Sequence, residues 1–249
     1  MVYELQNTSR AEYLFAGWEE TLIYSCLQQV MGKIYVTDTD RPESALACAG
    51  CFAFLAGRPE SELITCLPKG FSILTPQSEG WAELIEKCLP DAKKTVRYAI
   101  KKNTRFDAAA LRNLAARLPE GYEMREIDAE LYGRCLESSV GHDFVSCFED
   151  SELFLALGRG VVILKDGLIV SGASSYTRYR EGIEIEVDTL ECERRKGLAS
   201  AACAALILRC LEEGLYPSWD AQNMASVRLA GKLGYEFDRE YTVYEIDLK

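Results

Sequence analysis

The chain has a single histidine among its 249 residues, His142, and that alone excludes a zinc helix built on two histidines. It also lacks a Gly-x-Ser-x-Gly elbow, so the usual α/β-hydrolase nucleophile is absent. No apolar run approaches the about 18 residues of a membrane span. The longest, Ala45 to Ala56, fits one buried strand. Met1 to Trp18 is polar and charged, without the apolar centre of an export signal. Positive charge is scarce too: 28 Lys and Arg stand against 39 Asp and Glu, a net charge of −11. No broad basic surface is offered to phosphates, so nonspecific nucleic-acid binding is not expected. These absences predict a cytoplasmic protein with neither nucleic acid nor membrane among its partners. The acidity can draw in a cationic substrate such as an amine, although it serves equally to keep molecules apart.

Cysteine is not scarce, but its pattern is uninformative. The ten cysteines lie scattered among apolar neighbours, as expected of reduced, buried, small hydrophobes. Cys48-Ala49-Gly50-Cys51 has the spacing of a redox or zinc pair, yet no second such pair exists. In an extended strand its two thiols would face opposite ways. No metal site is expected.

What is present is an alternation of strand and helix patterns on a chain longer than one typical domain. Helix is predicted over 19–31, 78–88 and 107–118, with Asp107 as an N-cap, and strand over 33–37, 45–56, 71–74 and 95–101. Pro119-Glu120-Gly121 breaks the pattern, and the domain boundary is expected there, dividing 1–119 from 120–249. Beyond it come strand 122–127, helix 129–138, a loop through Gly141-His142-Asp143-Phe144, and helix 151–157. A hairpin of strands 161–164 and 168–176 turns on Asp166-Gly167. Gly182 to Thr189 alternates apolar and polar residues, a strand with two unlike faces. Ala199, Ala202, Cys203, Leu206, Ile207, Cys210 and Leu211 mark an amphipathic helix that Gly214 stops. A short strand at 218–221, a helix from Asn223 and closing strands within 235–248 complete the chain. The fold class is α/β, a mixed central sheet flanked by helices.

Strand passes to helix through Arg194-Arg195-Lys196-Gly197-Leu198-Ala199. The first turn of a helix presents unpaired N–H groups and partial positive charge, and glycine lets a ligand come close. Such a turn suits a pyrophosphate. Arg194-x-x-Gly197-x-Ala199 resembles the acyl-CoA pyrophosphate loop of the GNAT N-acetyltransferase superfamily. Pro217-Ser218-Trp219-Asp220-Ala221 and Asn223-Met224-Ala225-Ser226, ending in Lys232-Leu233-Gly234-Tyr235, resemble that family's fifth strand, fourth helix and closing turn. The wording of this second block looks most like the subgroup containing zwittermicin A resistance acetyltransferases. The resemblance spans the C-terminal half. It leaves room for a degenerate second copy of the same fold in the N-terminal half, where no cofactor motif is found.

The resemblance implies an acetyl-CoA-dependent N-acetyltransferase acting on a small amine by direct attack in a ternary complex, with acetyl-CoA as co-substrate. It implies cofactor contacts at Val187, Thr189, Arg194, Arg195, Lys196, Gly197, Leu198, Ala199, Ser200 and Asn223. Asn223 is equally a good helix N-cap. Glu184 and Glu186 share one strand face, and either could take the amine proton; Glu186 lies nearer the turn, while a merely solvated face would carry the same acids. His142 falls in a loop that often shapes the family's acceptor pocket. One departure matters: the position whose tyrosine protonates the leaving thiolate in many relatives is Ala230. Ser226, Tyr241, Tyr244 or solvent would have to supply that proton. That departure also motivates the alternative of a silent acyl-CoA-binding module, while a longer acyl donor or an acyl carrier protein is a further option. A homodimer is left open.

Overall fold

The computed structural model describes residues 1–249. In chain order its first elements are β1 (Tyr3–Glu4), α1 (Thr21–Leu27), β2 (Lys33–Val36), β3 (Ser44–Ala49), β4 (Phe52–Gly57), α2 (Ser61–Thr65), β5 (Gly70–Pro76), α3 (Glu79–Cys88), β6 (Lys93–Ile100) and α4 (Ala108–Ala115). There follow β7 (Tyr122–Glu126), α5 (Ala129–Glu137), α6 (Ser151–Leu157), β8 (Gly160–Lys165), β9 (Leu168–Tyr179) and β10 (Gly182–Thr189). The chain closes with α7 (Leu198–Glu212), β11 (Tyr216–Ser218), β12 (Asp220–Ala221), α8 (Met224–Lys232) and β13 (Phe237–Leu248). The mixed α/β class agrees with the sequence reading, and no helix is long and apolar enough to cross a membrane.

Local chemistry sets many of the boundaries. Ser78, Asp107, Asp128, Asp150 and Asn223 each cap a helix by accepting from its first-turn amides. Such a cap contributes about 1 kcal/mol. The β8–β9 hairpin turns on Asp166 and Gly167, both at positive φ, as the right-handed strand twist requires. Two other stretches differ from expectation. Ala45 to Ala56 is a hairpin rather than one strand, with β3 and β4 joined through Gly50 at φ +56 and Cys51. The turn carries no polar signal because its neighbours are all apolar. Ser218 to Ala221 is likewise two strands, since β11 pairs with β10 whereas β12 pairs with β6. The closing region is the single strand β13.

The chain forms two compact units, Met1–Arg97 with Glu240–Lys249, and Tyr98–Arg239. In the first, strands run in the order β1-β2-β3-β4-β5-β13, with β4 and β5 parallel. Its core gathers Leu46, Leu55, Leu63, Leu74, Trp81, Ile85 and Tyr244. The second has the order β11-β10-β9-β8-β7, antiparallel except where β10 meets β11. Its core centres on α7, whose Leu198, Leu206 and Ile207 join Ile163, Ile183, Trp219 and Tyr235. The division differs from the boundary expected at Pro119. Residues 98–118 belong with the second unit because α4 buries Leu111 in that same core. Pro119 lies past the end of α4 and does not separate two cores.

Candidate functional site

The site is built on the far end of β10. Ile183, Ile185 and Val187 turn to the α7 core, so Glu184, Glu186 and Asp188 occupy the opposite face. Glu184 is buried, Glu186 half-buried and Asp188 exposed. The β9 register slips between Glu184 and Ile185. At the same level the other neighbour is lost: the last β10–β11 pair is Glu184↔Ser218. Trp219 then turns the chain away, its side chain sunk in the core and its indole Nε1 donating to Ser226 Oγ at 3.1 Å. The Lys102 ammonium secures the break by donating to Ser218 Oγ at 2.8 Å and to the Trp219 carbonyl at 3.0 Å. Beyond Glu184, one edge of β10 therefore faces no β11 residue, and the backbone from Ile185 to Val187 can meet a ligand.

Over the acidic face lies the short turn His142–Phe144. Ser174, opposite Glu186 on β9, donates from Oγ to the Phe144 carbonyl at 2.7 Å. His142 itself is exposed, and its Nδ1 lies 3.1 Å from its own neighbour, Asp143. It sits in the turn that covers this face without bonding either glutamate.

Past β10 the chain makes the basic turn. Asp188 Oδ1 accepts from the Thr189 amide at 2.7 Å, and Arg194 Nε donates to the Thr189 carbonyl at 3.1 Å. Thr189 Oγ1 lies 2.7 Å from Ser171 Oγ. The backbone of Thr189 is thus held by its own neighbours, and a ligand contact there would have to displace them. Arg195 and Gly197 take φ of +64 and +87, curling the chain so that successive amides face one way. A Cβ on Gly197 would meet nothing within 4 Å, which leaves its outer side open to a ligand. The α7 ladder starts with Ala201 N bonding Gly197 O at 3.0 Å, so the Leu198, Ala199 and Ser200 amides precede it, and no side chain caps them. This cradle fits a pyrophosphate.

The cations of the turn do not act alike. Lys196 donates to Glu193 at 2.6 Å, and Lys165 from the end of β8 reaches the same carboxylate at 2.9 Å. Tyr122 of β7 donates to it as well. Lys196 above all, then Tyr122 and Lys165, pull the Glu193 carboxyl down to about 2. Lys196 is therefore tied beneath the turn, whereas Arg195 is exposed and makes no ion pair. No local pattern signals this brace: Glu193 reads as one acid among several, and Tyr122 and Lys165 lie far from it along the chain.

On α8, Asn223 Oδ1 accepts from the Ala225 and Ser226 amides at 2.9 and 3.0 Å, which is the cap expected of it. Ala230 is fully buried in the core. Tyr244 belongs to the first unit and donates to Glu86 at 2.6 Å.

The GNAT acetyltransferase family model matches residues 12–244. The uncharacterized N-acetyltransferase YdfB of Bacillus subtilis is 26% identical over 241 residues, covering 90% of this chain and 89% of that protein. The crystal structure of a GCN5-related N-acetyltransferase-like protein from Streptococcus suis is 49% identical, with a TM-score of 0.93 over 96% of this chain and 98% of that one. A tandem GNAT protein from the clavulanic acid biosynthesis pathway, 12% identical, shares the fold at a TM-score of 0.53 over 99% of this chain and 98% of its own.

Proposed function

The chain belongs to the GNAT acetyltransferase family and is an acyltransferase; from that premise we propose that it moves an acetyl group from acetyl-CoA to the amine of a small molecule. The observation that carries the reading is the parting of β10 from β11 just before β10 runs into the open turn at the start of α7. One continuous stretch thus offers strand backbone for the acyl arm and helix amides with Arg195 for the pyrophosphate. The acceptor is a small amine, and an aminated antibiotic is one candidate that the resemblance to zwittermicin A resistance acetyltransferases suggests.

In the transfer a C–N bond forms as the thioester C–S bond breaks. Glu186, half-buried on the part of β10 beyond the last β11 pair, takes the proton that the attacking amine must lose. Glu184, deeper on the same face, holds the amine. Sulfur leaves as the thiolate and regains a proton from solvent, directly or relayed through the Ser226 hydroxyl, which is reprotonated by water and whose oxygen accepts from Trp219. Positioning of the two reactants supplies much of the acceleration. The first test is binding: acetyl-CoA at a hundredfold its dissociation constant should stabilise the fold by about 2.7 kcal/mol. A melting temperature unmoved by millimolar acetyl-CoA contradicts the assignment.

A further inference from the structure

Where β10 and β11 part, a row of polar side chains crosses the sheet on the face away from α7. Ser218 of β11, Glu184 of β10 and Thr177 of β9 are direct cross-strand partners, exposed by 0%, 4% and 1% respectively. At one end stands the Lys102 ammonium, 2.8 Å from Ser218 Oγ. At the other, Thr177 Oγ1 is buried with no hydrogen-bond partner in the protein. Adjacent strands lie about 4.8 Å apart, so the row from Ser218 across Glu184 to Thr177 spans roughly 10 Å, the reach of a small ligand, with the Lys102 ammonium at its end. A buried hydroxyl left without a partner weakens the fold, and this one is the cross-strand partner of Glu184, the last β10 residue paired with β11, where a ligand's donor would be shared by hydroxyl and carboxylate.

We propose that the row Lys102–Ser218–Glu184–Thr177 is the acceptor subsite, and that it selects amines bearing an oxygen on the neighbouring carbon, either 2-amino alcohols or α-amino acids. The inference rests on the acetyltransferase reading above. The amine donates to the Glu184 carboxylate and to Thr177 Oγ1, while the vicinal oxygen turns towards the Lys102 end. Thr177 is then a substrate contact that the fold holds at the expense of its own stability.

Thr177→Val keeps the shape and removes the hydroxyl, so it separates the two roles. The variant is expected to melt higher than the wild type, to bind acetyl-CoA equally well, and to show a KM for the acceptor raised about tenfold, the weight of one hydrogen bond. Thr177→Ser should restore the acceptor KM. The panel comprises 2-amino alcohols, α-amino acids and alkylamines of matching length, and Lys102→Met should erase the preference for the oxygen-bearing members, falling most on amino acids if the oxygen is a carboxylate. A higher melting temperature with unchanged KM across the panel would overturn the proposal, as would a wild type that acetylates alkylamines equally well. Wild-type protein that binds acetyl-CoA yet acetylates no amine would instead strike the proposed function, and this subsite with it.

Discussion

At the scale of single residues, the site is sorted by what each charge already holds. The basic turn reads in sequence as a run of equivalent cations. In the folded chain Arg194 is spent on Thr189, Lys196 on Glu193, and Arg195 alone stays exposed without an ion pair. Glu193 accounts for Lys196. Its folded-state pKa of about 2 lies below the ordinary value of 4.5. A depressed carboxyl contributes stability above its ordinary pKa, and that share is lost as pH falls through the folded value. Wild-type stability should therefore drop between about pH 4.5 and pH 2, and Glu193→Gln should flatten that part of a denaturation-against-pH curve. The variant should also bind CoA more weakly, because Lys196 and the turn lose their anchor. Parallel acid limbs in the two proteins, measured by urea unfolding, would remove Glu193 from this role. None of this brace was legible beforehand, since it joins β7, β8 and the turn across long stretches of sequence.

At the scale of elements, α7 and the strand before it were readable because their patterns are local. Alternation in Gly182 to Thr189 fixed the two faces of β10, and the apolar stripe with Gly214 fixed the extent of α7. What no local pattern showed was that Trp219 splits a short apolar stretch between two pairings, although that split opens the site. The Gly50-Cys51 turn was hidden in the same way. The α7 turn lends itself to a matched comparison. Gly197 and Gly214 both take positive φ at opposite ends of one helix, and a Cβ at either meets nothing within 4 Å. Alanine at each position should therefore cost a similar amount, about 1–2 kcal/mol of backbone strain. Only Gly197→Ala puts a methyl where the pyrophosphate should approach, so it alone should weaken acetyl-CoA binding, by tenfold or more in a calorimetric titration. Equal losses in both variants, or none in either, would mean that the turn is not the phosphate site.

At the scale of the whole molecule, the order of strands and helices in the second half was legible from the Arg194 to Ala199 motif and the block around Asn223. The division into units was not. The turn signal at Pro119 is a backbone feature, whereas unit membership follows from which core a side chain enters, and Leu111 enters the core around α7. For the same reason Tyr244, close in sequence to the closing turn of the second unit, lies in the core of the first. The net charge of −11 agrees with an amine acceptor but does not single one out. The central claim, acetyl transfer from the β10–α7 site with Glu186 as base, is tested most directly by incubating the protein with acetyl-CoA and an amine panel. Acetylated amine, read by mass, and released CoA thiol are followed together. The wild type should yield both in equal amounts. Glu186→Gln should lose roughly 10²–10⁴-fold in turnover while keeping its acetyl-CoA affinity. Thiol release without acetylated amine, or a Glu186→Gln variant as active as the wild type, would contradict the account.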